Sequence, residues 1–309
     1  MEPLKVALPA ALAGPVSEDV GDAAEIVAWD GEPPVPAHVT DVTVWVPSYP
    51  GGVDDGTVTD SLRGLPRLRV LQLLSAGVEP WPRLVPSGVT LCSGRSIHGA
   101  STAELAVAGL LAVLRDLPLY LRQQQHRDWT PHQPRTVAGR RVLVLGAGDI
   151  GQRVAAALGA LDAEVLLVAR RSRPGVLTLE QVPEILPTVD AVVVTLPHTD
   201  ETAGLVDRSF LAALADGAVV VNVARGAVVD TSALTAEVSA GRLRAALDVT
   251  DPEPLPTEHP LWGLSGVLLT PHVGGGATGW ELRARRLLTE QLTRLRDGAE
   301  LLNVVTHGY

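Results

Sequence analysis

The sequence predicts an α/β protein built from two parallel sheets, each flanked by helices. Short apolar runs typical of strands alternate with helical patterns along the chain, which is the order of elements that parallel sheets require. These runs are apolar at nearly every position, and strands of that kind are buried on both faces between helix layers. The first series of runs covers residues 5–9, 25–29, 42–47 and 69–74. The second covers residues 141–146, 164–169, 191–197, 218–224, 245–249 and 266–271.

Composition excludes several classes of protein. The net charge is −10, so a nucleic-acid partner is not expected and any basic site must be local. Cys92 is the only cysteine, which rules out internal disulfides and cysteine-based metal clusters; we expect no metal. The apolar run at 105–114 is too short to span a bilayer. We expect a cytoplasmic protein with no membrane partner.

One stretch carries a dinucleotide-binding fingerprint. The strand-like run at 141–145 leads into a G-x-G-x-x-G pattern, and a helical pattern follows it. This is the context in which the fingerprint binds a pyrophosphate at a helix N-terminus. The residues predicted to bind the cofactor here are Gly146, Ala147, Gly148, Asp149, Ile150 and Gly151.

The acid that usually follows this fingerprint is missing. An Asp or Glu about 20 residues on normally holds the adenosine ribose, but the nineteenth residue after Gly151 is Arg170. Arg171 and Ser172 come next, where the 2′-phosphate of NADP would project. We therefore predict a preference for NADPH over NADH, with Arg173 expected to take no part.

Four further motifs follow in a fixed order, at 194–207, 220–230, 245–256 and 268–276. Together with the fingerprint, they make the chain resemble the D-isomer-specific 2-hydroxyacid dehydrogenases, in particular the glyoxylate/hydroxypyruvate reductase branch. The resemblance implies a Rossmann-type dinucleotide-binding domain inserted in a flavodoxin-like substrate-binding domain. It also implies a small 2-keto or 2-hydroxy acid as substrate, and a homodimer.

Three side chains are candidates for catalysis. Reduction of a 2-keto acid needs a group that grips the carboxylate and polarises the carbonyl, and the planar fork of Arg225 suits both tasks. His272 is the candidate proton donor, because imidazole exchanges protons near neutral pH. Glu253, which the family motif places before a proline, would hold His272 and favour the imidazolium. A Glu here also argues against the related formate dehydrogenases, which carry Gln in this role.

The resemblance implies further contacts. Asp248 matches the family's contact to the nicotinamide carboxamide, and Leu196, Pro197, His198, Val223 and Ala224 are expected beside the cofactor. Ser75, Ala76, Gly77 and Val78 match a loop whose backbone binds the substrate carboxylate, alongside Arg225 and His272. The alternative for 75–78 is an ordinary strand-to-helix turn.

Two long helical patterns, at 100–118 and 277–296, are interpreted as the crossings between domains. The substrate-binding domain would then comprise residues 1–98 and be completed by residues 275–309. The dinucleotide-binding domain would comprise residues 99–274.

Two other functions stay open at this point. One is a dinucleotide-sensing binding protein, like the transcriptional corepressors that share this fold; the other is a dehydrogenase acting on a different oxyanion. Three departures from the family pattern put the substrate's identity in question: Thr250 replaces an aromatic residue, His98 replaces an Asn, and the segment 274–280 is glycine-rich.

Overall fold

The computed structural model describes residues 4–49 and 55–306. The chain divides into two compact units, each with its own sheet. The first unit consists of residues 1–98 and 276–309, and the second unit consists of residues 99–275.

The strands of the first unit form a five-stranded parallel sheet. They are β1 (Leu4–Leu8), β2 (Ala24–Ala28), β3 (Val44–Trp45), β4 (Val70–Gln72) and β5 (Thr90–Cys92). Their order in the sheet is β2-β1-β3-β4-β5, and every pairing is parallel. This is the order of flavodoxin-like folds, as the resemblance implied.

The second unit contains a seven-stranded parallel sheet. Its strands are β6 (Arg141–Leu145), β7 (Glu164–Val168), β8 (Val176–Leu177), β9 (Ala191–Val194), β10 (Val219–Asn222), β11 (Arg244–Leu247) and β12 (Val267–Leu269). The order β12-β11-β10-β9-β6-β7-β8 continues the Rossmann order by one strand and reverses direction between β6 and β9. The predicted fold class is confirmed. Strands β5 and β8 were not predicted; they have three and two residues, and neither lies within a longer apolar run as the equally short β3 and β4 do.

Helices cover both sheets. They are α1 (Ala10–Val20), α2 (Asp55–Arg63), α3 (Trp81–Leu84), α4 (Gly99–Leu114), α5 (Leu117–His126), α6 (Asp149–Gly159), α7 (Val182–Ile185), α8 (Arg208–Ala213), α9 (Thr231–Ser239) and α10 (Trp280–Asp297). Single turns of 3-10 helix lie at Gly21–Ala23, Leu179–Gln181, Leu186–Thr188, Gly226–Val228 and Pro260–Gly263. None of the helices in the described residues has the length and apolarity needed to cross a membrane.

The helix of the pattern at 100–118 ends at Leu114, before Pro118, the residue expected to follow its end. Asp116 adopts a left-handed backbone conformation, with a φ of 57°, and thereby separates α4 from α5. Its carboxylate accepts hydrogen bonds from Arg244 on β11 and from His132, so contacts distant in sequence fix the break.

Both faces of the second unit's sheet are buried. Successive residues of β6 point to opposite sides, so Leu143 and Leu145 join one apolar layer while Val142 and Val144 join the other. All four side chains are fully buried. This double burial explains why the strands read as continuous apolar runs in the sequence.

The C-terminal segment completes the first unit through a buried polar pair. Gln291 on α10 donates a hydrogen bond to the side-chain carbonyl of Gln72 on β4, at 2.8 Å. The same Gln291 amide also bonds both backbone groups of Leu302. Two amide side chains, rather than apolar contacts alone, therefore fix the register of the C-terminal tail against the sheet.

We expect Cys92 to be unreactive in the folded protein. The side chain is fully buried, and burial raises the pKa of its thiol to about 11, so the reactive thiolate is scarce at neutral pH. A titration with a thiol-specific chromogenic reagent should detect no reaction in native buffer and one thiol after unfolding in guanidinium. Rapid labelling of the native protein would contradict this burial.

Candidate active site

The predicted site residues of the second unit all follow the carboxyl ends of its parallel strands. Along the sheet edge, His272 follows β12, Asp248 and Glu253 follow β11, and Arg225 follows β10. The fingerprint follows β6 and the basic turn follows β7. Since β12 and β7 are five strand positions apart, the two ends of this row lie roughly 24 Å from each other at about 4.8 Å per strand.

The fingerprint loop has the geometry that a pyrophosphate requires. Gly146 has a φ of 112°, and a Cβ there would lie 2.7 Å from Thr195 Oγ1. A Cβ on Gly151 would lie 1.8 Å from the carbonyl oxygen of Gly146, so α6 packs against the turn only because this residue is glycine. A Cβ on Gly148 would meet nothing within 4 Å, which leaves the backbone open to an approaching phosphate. The residues therefore fit a dinucleotide.

Asp149 begins α6, but its side chain is held by protein groups. One carboxylate oxygen accepts a hydrogen bond from Arg153 Nε at 2.9 Å. The other lies over Gly99, where a Cβ would come within 1.8 Å of it. The carboxylate of Asp149 is thus directed to the start of α4, and its contribution to cofactor binding stays a prediction.

The basic turn lies between β7 and β8. Arg170 is largely exposed, and its guanidinium is 3.9 Å from the carboxylate of Glu201. Arg171 and Ser172 are exposed as well. Arg173 differs from them, because its Nη2 donates a hydrogen bond to the carbonyl oxygen of Ala147 in the fingerprint, at 2.7 Å.

His272 and Glu253 form a hydrogen-bonded pair. The distance from His272 Nδ1 to Glu253 Oε1 is 2.6 Å, and the two side chains are 47% and 41% exposed. A carboxylate only accepts hydrogen bonds, so Nδ1 carries the proton of this pair. The carboxylate fixes the orientation of the ring, while Nε2 is the nitrogen on the opposite side of the ring.

Asp248 holds the loop that carries His272. It is 4% exposed, and its Oδ1 accepts hydrogen bonds from Thr270 Oγ1 at 2.5 Å and from the Val273 N–H at 2.9 Å. Its Oδ2 accepts from the Gly274 N–H at 2.9 Å, and its backbone carbonyl accepts from the His272 N–H. The sequence suggested a cofactor contact for Asp248 but not this bracing role, and Thr270 was not singled out at all.

The loop after β10 places Arg225 beside the loop that carries Glu253. Asn222 anchors the Arg225 loop, donating to the Arg225 carbonyl at 3.0 Å and accepting from the Ala224 N–H. Next to it, a Cβ on Gly226 would lie 1.9 Å from the Thr250 carbonyl oxygen. The absence of a side chain at Gly226 therefore allows the two loops to touch. Asn222 and Gly226 lie within the motif at 220–230, but the sequence pattern did not predict their contacts.

The remaining predicted cofactor residues line the same edge. Leu196, Pro197 and His198 follow β9, in a loop that Thr202 closes by donating to the Pro197 carbonyl at 2.6 Å. Val223 and Ala224 follow β10 and are buried. Among residues 4–49 and 55–306, no three His, Cys, Asp or Glu side chains come together as a metal site would require.

The loop Ser75–Val78 belongs to the first unit and follows β4. Within the described residues, none of its four backbone N–H groups donates a hydrogen bond to another protein group. Its base is well fixed: His98 Nε2 bonds the Leu74 carbonyl at 3.0 Å, and the Gly94 N–H donates to the Ser75 carbonyl at 2.7 Å. Consecutive backbone N–H groups without a protein acceptor, in a loop held by its neighbours, form the kind of arrangement that binds anions.

Comparison with known proteins identifies the family. Residues 107–274 match the D-isomer specific 2-hydroxyacid dehydrogenase NAD-binding domain. The chain is 30% identical to human glyoxylate reductase/hydroxypyruvate reductase over 268 residues, 81% of each protein. It is 33% identical to D-3-phosphoglycerate dehydrogenase of Mycobacterium tuberculosis over 83% of this chain and 51% of that protein. A crystal structure of a D-isomer specific 2-hydroxyacid dehydrogenase from Xanthobacter autotrophicus Py2, in complex with NADPH and MES, matches with 30% identity, a TM-score of 0.85 and full coverage of both chains.

The chain therefore belongs to the D-isomer specific 2-hydroxyacid dehydrogenase family. It is an NAD(P)-dependent oxidoreductase with a Rossmann domain, and the family predicted from the sequence motifs is confirmed. Members of this family act on small 2-keto and 2-hydroxy acids.

Replacing Glu253 by Gln should lower kcat for keto-acid reduction by about tenfold or more, with a smaller change in the KM of the keto acid. The carboxylate holds the His272 ring through Nδ1, and a neutral amide cannot balance the charge of a protonated ring in the same way. The measurement is kcat and KM for one 2-keto acid, with His272→Gln as the background rate and Asp251→Asn as a matched loss of a neighbouring exposed carboxylate. An unchanged kcat in Glu253→Gln, or the same loss in Asp251→Asn, would refute the pairing.

Replacing Arg225 by Lys should impair reduction although the charge is kept. A single ammonium group cannot reproduce the planar fork, so we expect a loss of about tenfold or more in kcat/KM. The loss should appear for every 2-keto acid, because all share the carboxylate. Arg208→Lys, at an exposed position on α8, is the control and should leave the kinetics unchanged. Near-normal kinetics in Arg225→Lys would contradict the role of Arg225 in binding the substrate.

Proposed function

We propose that the protein reduces a small 2-keto acid of the glyoxylate or hydroxypyruvate type to the D-2-hydroxy acid, and that it prefers NADPH to NADH. The observation that carries the reaction is the 2.6 Å hydrogen bond between His272 Nδ1 and Glu253 Oε1. It supplies an oriented proton donor at the sheet edge where this fold binds its ligands.

The bound nicotinamide cofactor would supply the hydride. Arg225 binds the substrate carboxylate and polarises the neighbouring carbonyl. His272 then donates the proton on Nε2 to the carbonyl oxygen as it becomes a hydroxyl, and Glu253 stabilises the positive ring until that moment. Asp248 contributes by fixing the His272 loop, since its carboxylate and carbonyl bond three consecutive N–H groups there.

The basic turn supports the cofactor preference. Arg170 and Arg171 follow β7 where a carboxylate would otherwise bind the ribose hydroxyls, and exposed guanidinium groups suit a 2′-phosphate. The similar Xanthobacter structure holds NADPH. An NADPH-dependent glyoxylate/hydroxypyruvate reductase from Sinorhizobium meliloti, 25% identical with a TM-score of 0.78, holds NADP.

The first unit would bind the substrate's carboxylate through the N–H groups of Ser75, Ala76, Gly77 and Val78. In this proposal the first unit is the substrate-binding domain and the second unit is the dinucleotide-binding domain. We further propose that the protein is a cytoplasmic homodimer. Light scattering coupled to size-exclusion chromatography would test the dimeric state by measuring the molar mass.

A second candidate is a dehydrogenase for a different oxyanion. The 33% identity to D-3-phosphoglycerate dehydrogenase favours it, since that protein acts on a phosphorylated acid.

A corepressor-like sensor of dinucleotides would bind the cofactor without turnover, so steady turnover excludes it. A panel of glyoxylate, hydroxypyruvate, pyruvate, phenylpyruvate and 3-phosphohydroxypyruvate, each with NADPH and NADH, separates all three. The proposal requires the highest kcat/KM with glyoxylate or hydroxypyruvate.

The cofactor preference should depend on Arg170 and Arg171. A charged hydrogen bond contributes about 1.5–3 kcal/mol, so one contact to the phosphate should favour NADPH by roughly tenfold or more. In Arg170→Ala/Arg171→Ala this preference should disappear, mainly through a higher KM for NADPH. Arg115→Ala, exposed just beyond the end of α4, is the control. Equal use of the two cofactors by the wild-type enzyme would refute the assignment.

A further inference from the structure

The carbonyl group of Ala147, in the middle of the fingerprint, accepts two side-chain hydrogen bonds. Arg173 Nη2 donates to it at 2.7 Å, and Gln152 Nε2 donates to it at 3.1 Å. Gln152 lies on α6, close in sequence, whereas Arg173 comes from the turn between β7 and β8. A loop carbonyl with two donors has a fixed direction.

Arg173 is itself held in place within its turn. Its backbone carbonyl accepts a hydrogen bond from the Val176 N–H at 3.0 Å, and the two residues form an antiparallel bridge. Val176 belongs to β8, which pairs with β7. The guanidinium of Arg173 therefore ties the turn that carries Arg170 and Arg171 to the fingerprint loop.

The direction of the Ala147 carbonyl determines the direction of the next N–H group. In a planar trans peptide the C=O of Ala147 and the N–H of Gly148 point to opposite sides. With the carbonyl held by Arg173 and Gln152, the Gly148 N–H must point away from both side chains. Within the described residues this N–H has no acceptor, and a Cβ on Gly148 would meet nothing within 4 Å. The N–H is thus without a protein acceptor at the start of α6, beside a backbone open to an approaching group, which is where a pyrophosphate binds.

We propose that Arg173 is a positioning residue for the cofactor, which orients the Gly148 N–H toward the pyrophosphate through the Ala147 carbonyl. This inference rests on the proposed binding of the nicotinamide cofactor at the fingerprint. It differs from the role of Arg170 and Arg171, because the pyrophosphate is common to NADPH and NADH. Arg173 should therefore affect both cofactors equally, whereas a ligand of the 2′-phosphate affects only NADPH.

The test is a fluorescence titration of NADPH and NADH against Arg173→Met, without any keto acid. Met replaces the stem of the arginine side chain with an unbranched apolar chain and donates no hydrogen bond. We expect the Kd values of both cofactors to rise by a similar factor, about tenfold. Arg173→Lys, which keeps a donor, should recover part of the affinity, and Gln152→Met should raise both Kd values by a smaller factor.

Arg171→Met is the matched control on the same turn, and it should raise the Kd of NADPH alone. The thermal midpoint of each variant is compared with that of the wild type, so that loss of folding is not mistaken for loss of positioning; if Arg173→Met is destabilised, Arg173→Lys decides. Unchanged Kd values would make Arg173 a bystander, and a rise for NADPH alone would make it a phosphate ligand; either result overturns the inference. Failure of the NADPH preference itself would appear separately, in the wild-type Kd values.

Discussion

The burial of both faces of the second unit's sheet is the constraint on which the site depends. Strand residues such as Leu143 and Val144 are fully buried in opposite apolar layers, so neither face has room for a polar site. Reactive side chains can then lie only where strands end. Because all the strands are parallel, their carboxyl ends share one edge, and each β-to-α loop adds its residues to the same row.

Close backbone contacts at glycines set the positions of the loops along this edge. Gly151 lets α6 pack against the Gly146 carbonyl, and Gly226 lets the Arg225 loop touch the Thr250 carbonyl. Polar side chains then fix the loops in place, as Asp248 does for the His272 loop. Precision at the site thus comes from residues that do no chemistry themselves, which agrees with the general need for a rigid supporting shell.

The charge along this edge of the sheet differs from the net charge of the chain. The chain carries a net charge of −10, yet the loop after β7 is strongly basic. At the other end of the row the charges are paired, with Glu253 bonded to His272. An anionic dinucleotide bound along this edge would therefore meet positive charge at one end and the His272–Glu253 pair at the other, although the protein as a whole is negatively charged.

The sequence by itself determined the two parallel sheets, the fingerprint and the family, because these depend on local patterns: continuous apolar runs, glycine spacing and motif order. It also predicted His272, Glu253 and Arg225 as catalytic residues, from their motifs. Only the tertiary structure decided which groups brace them. Arg173 was expected to take no part, yet its side chain donates a hydrogen bond to the Ala147 carbonyl. Asp248 was expected to contact the cofactor, but its carboxylate braces the His272 loop by accepting hydrogen bonds from Thr270 and two backbone N–H groups. The physical reason is that a hydrogen bond between loops depends on how strands far apart in sequence are ordered in the sheet, and no local pattern records that order.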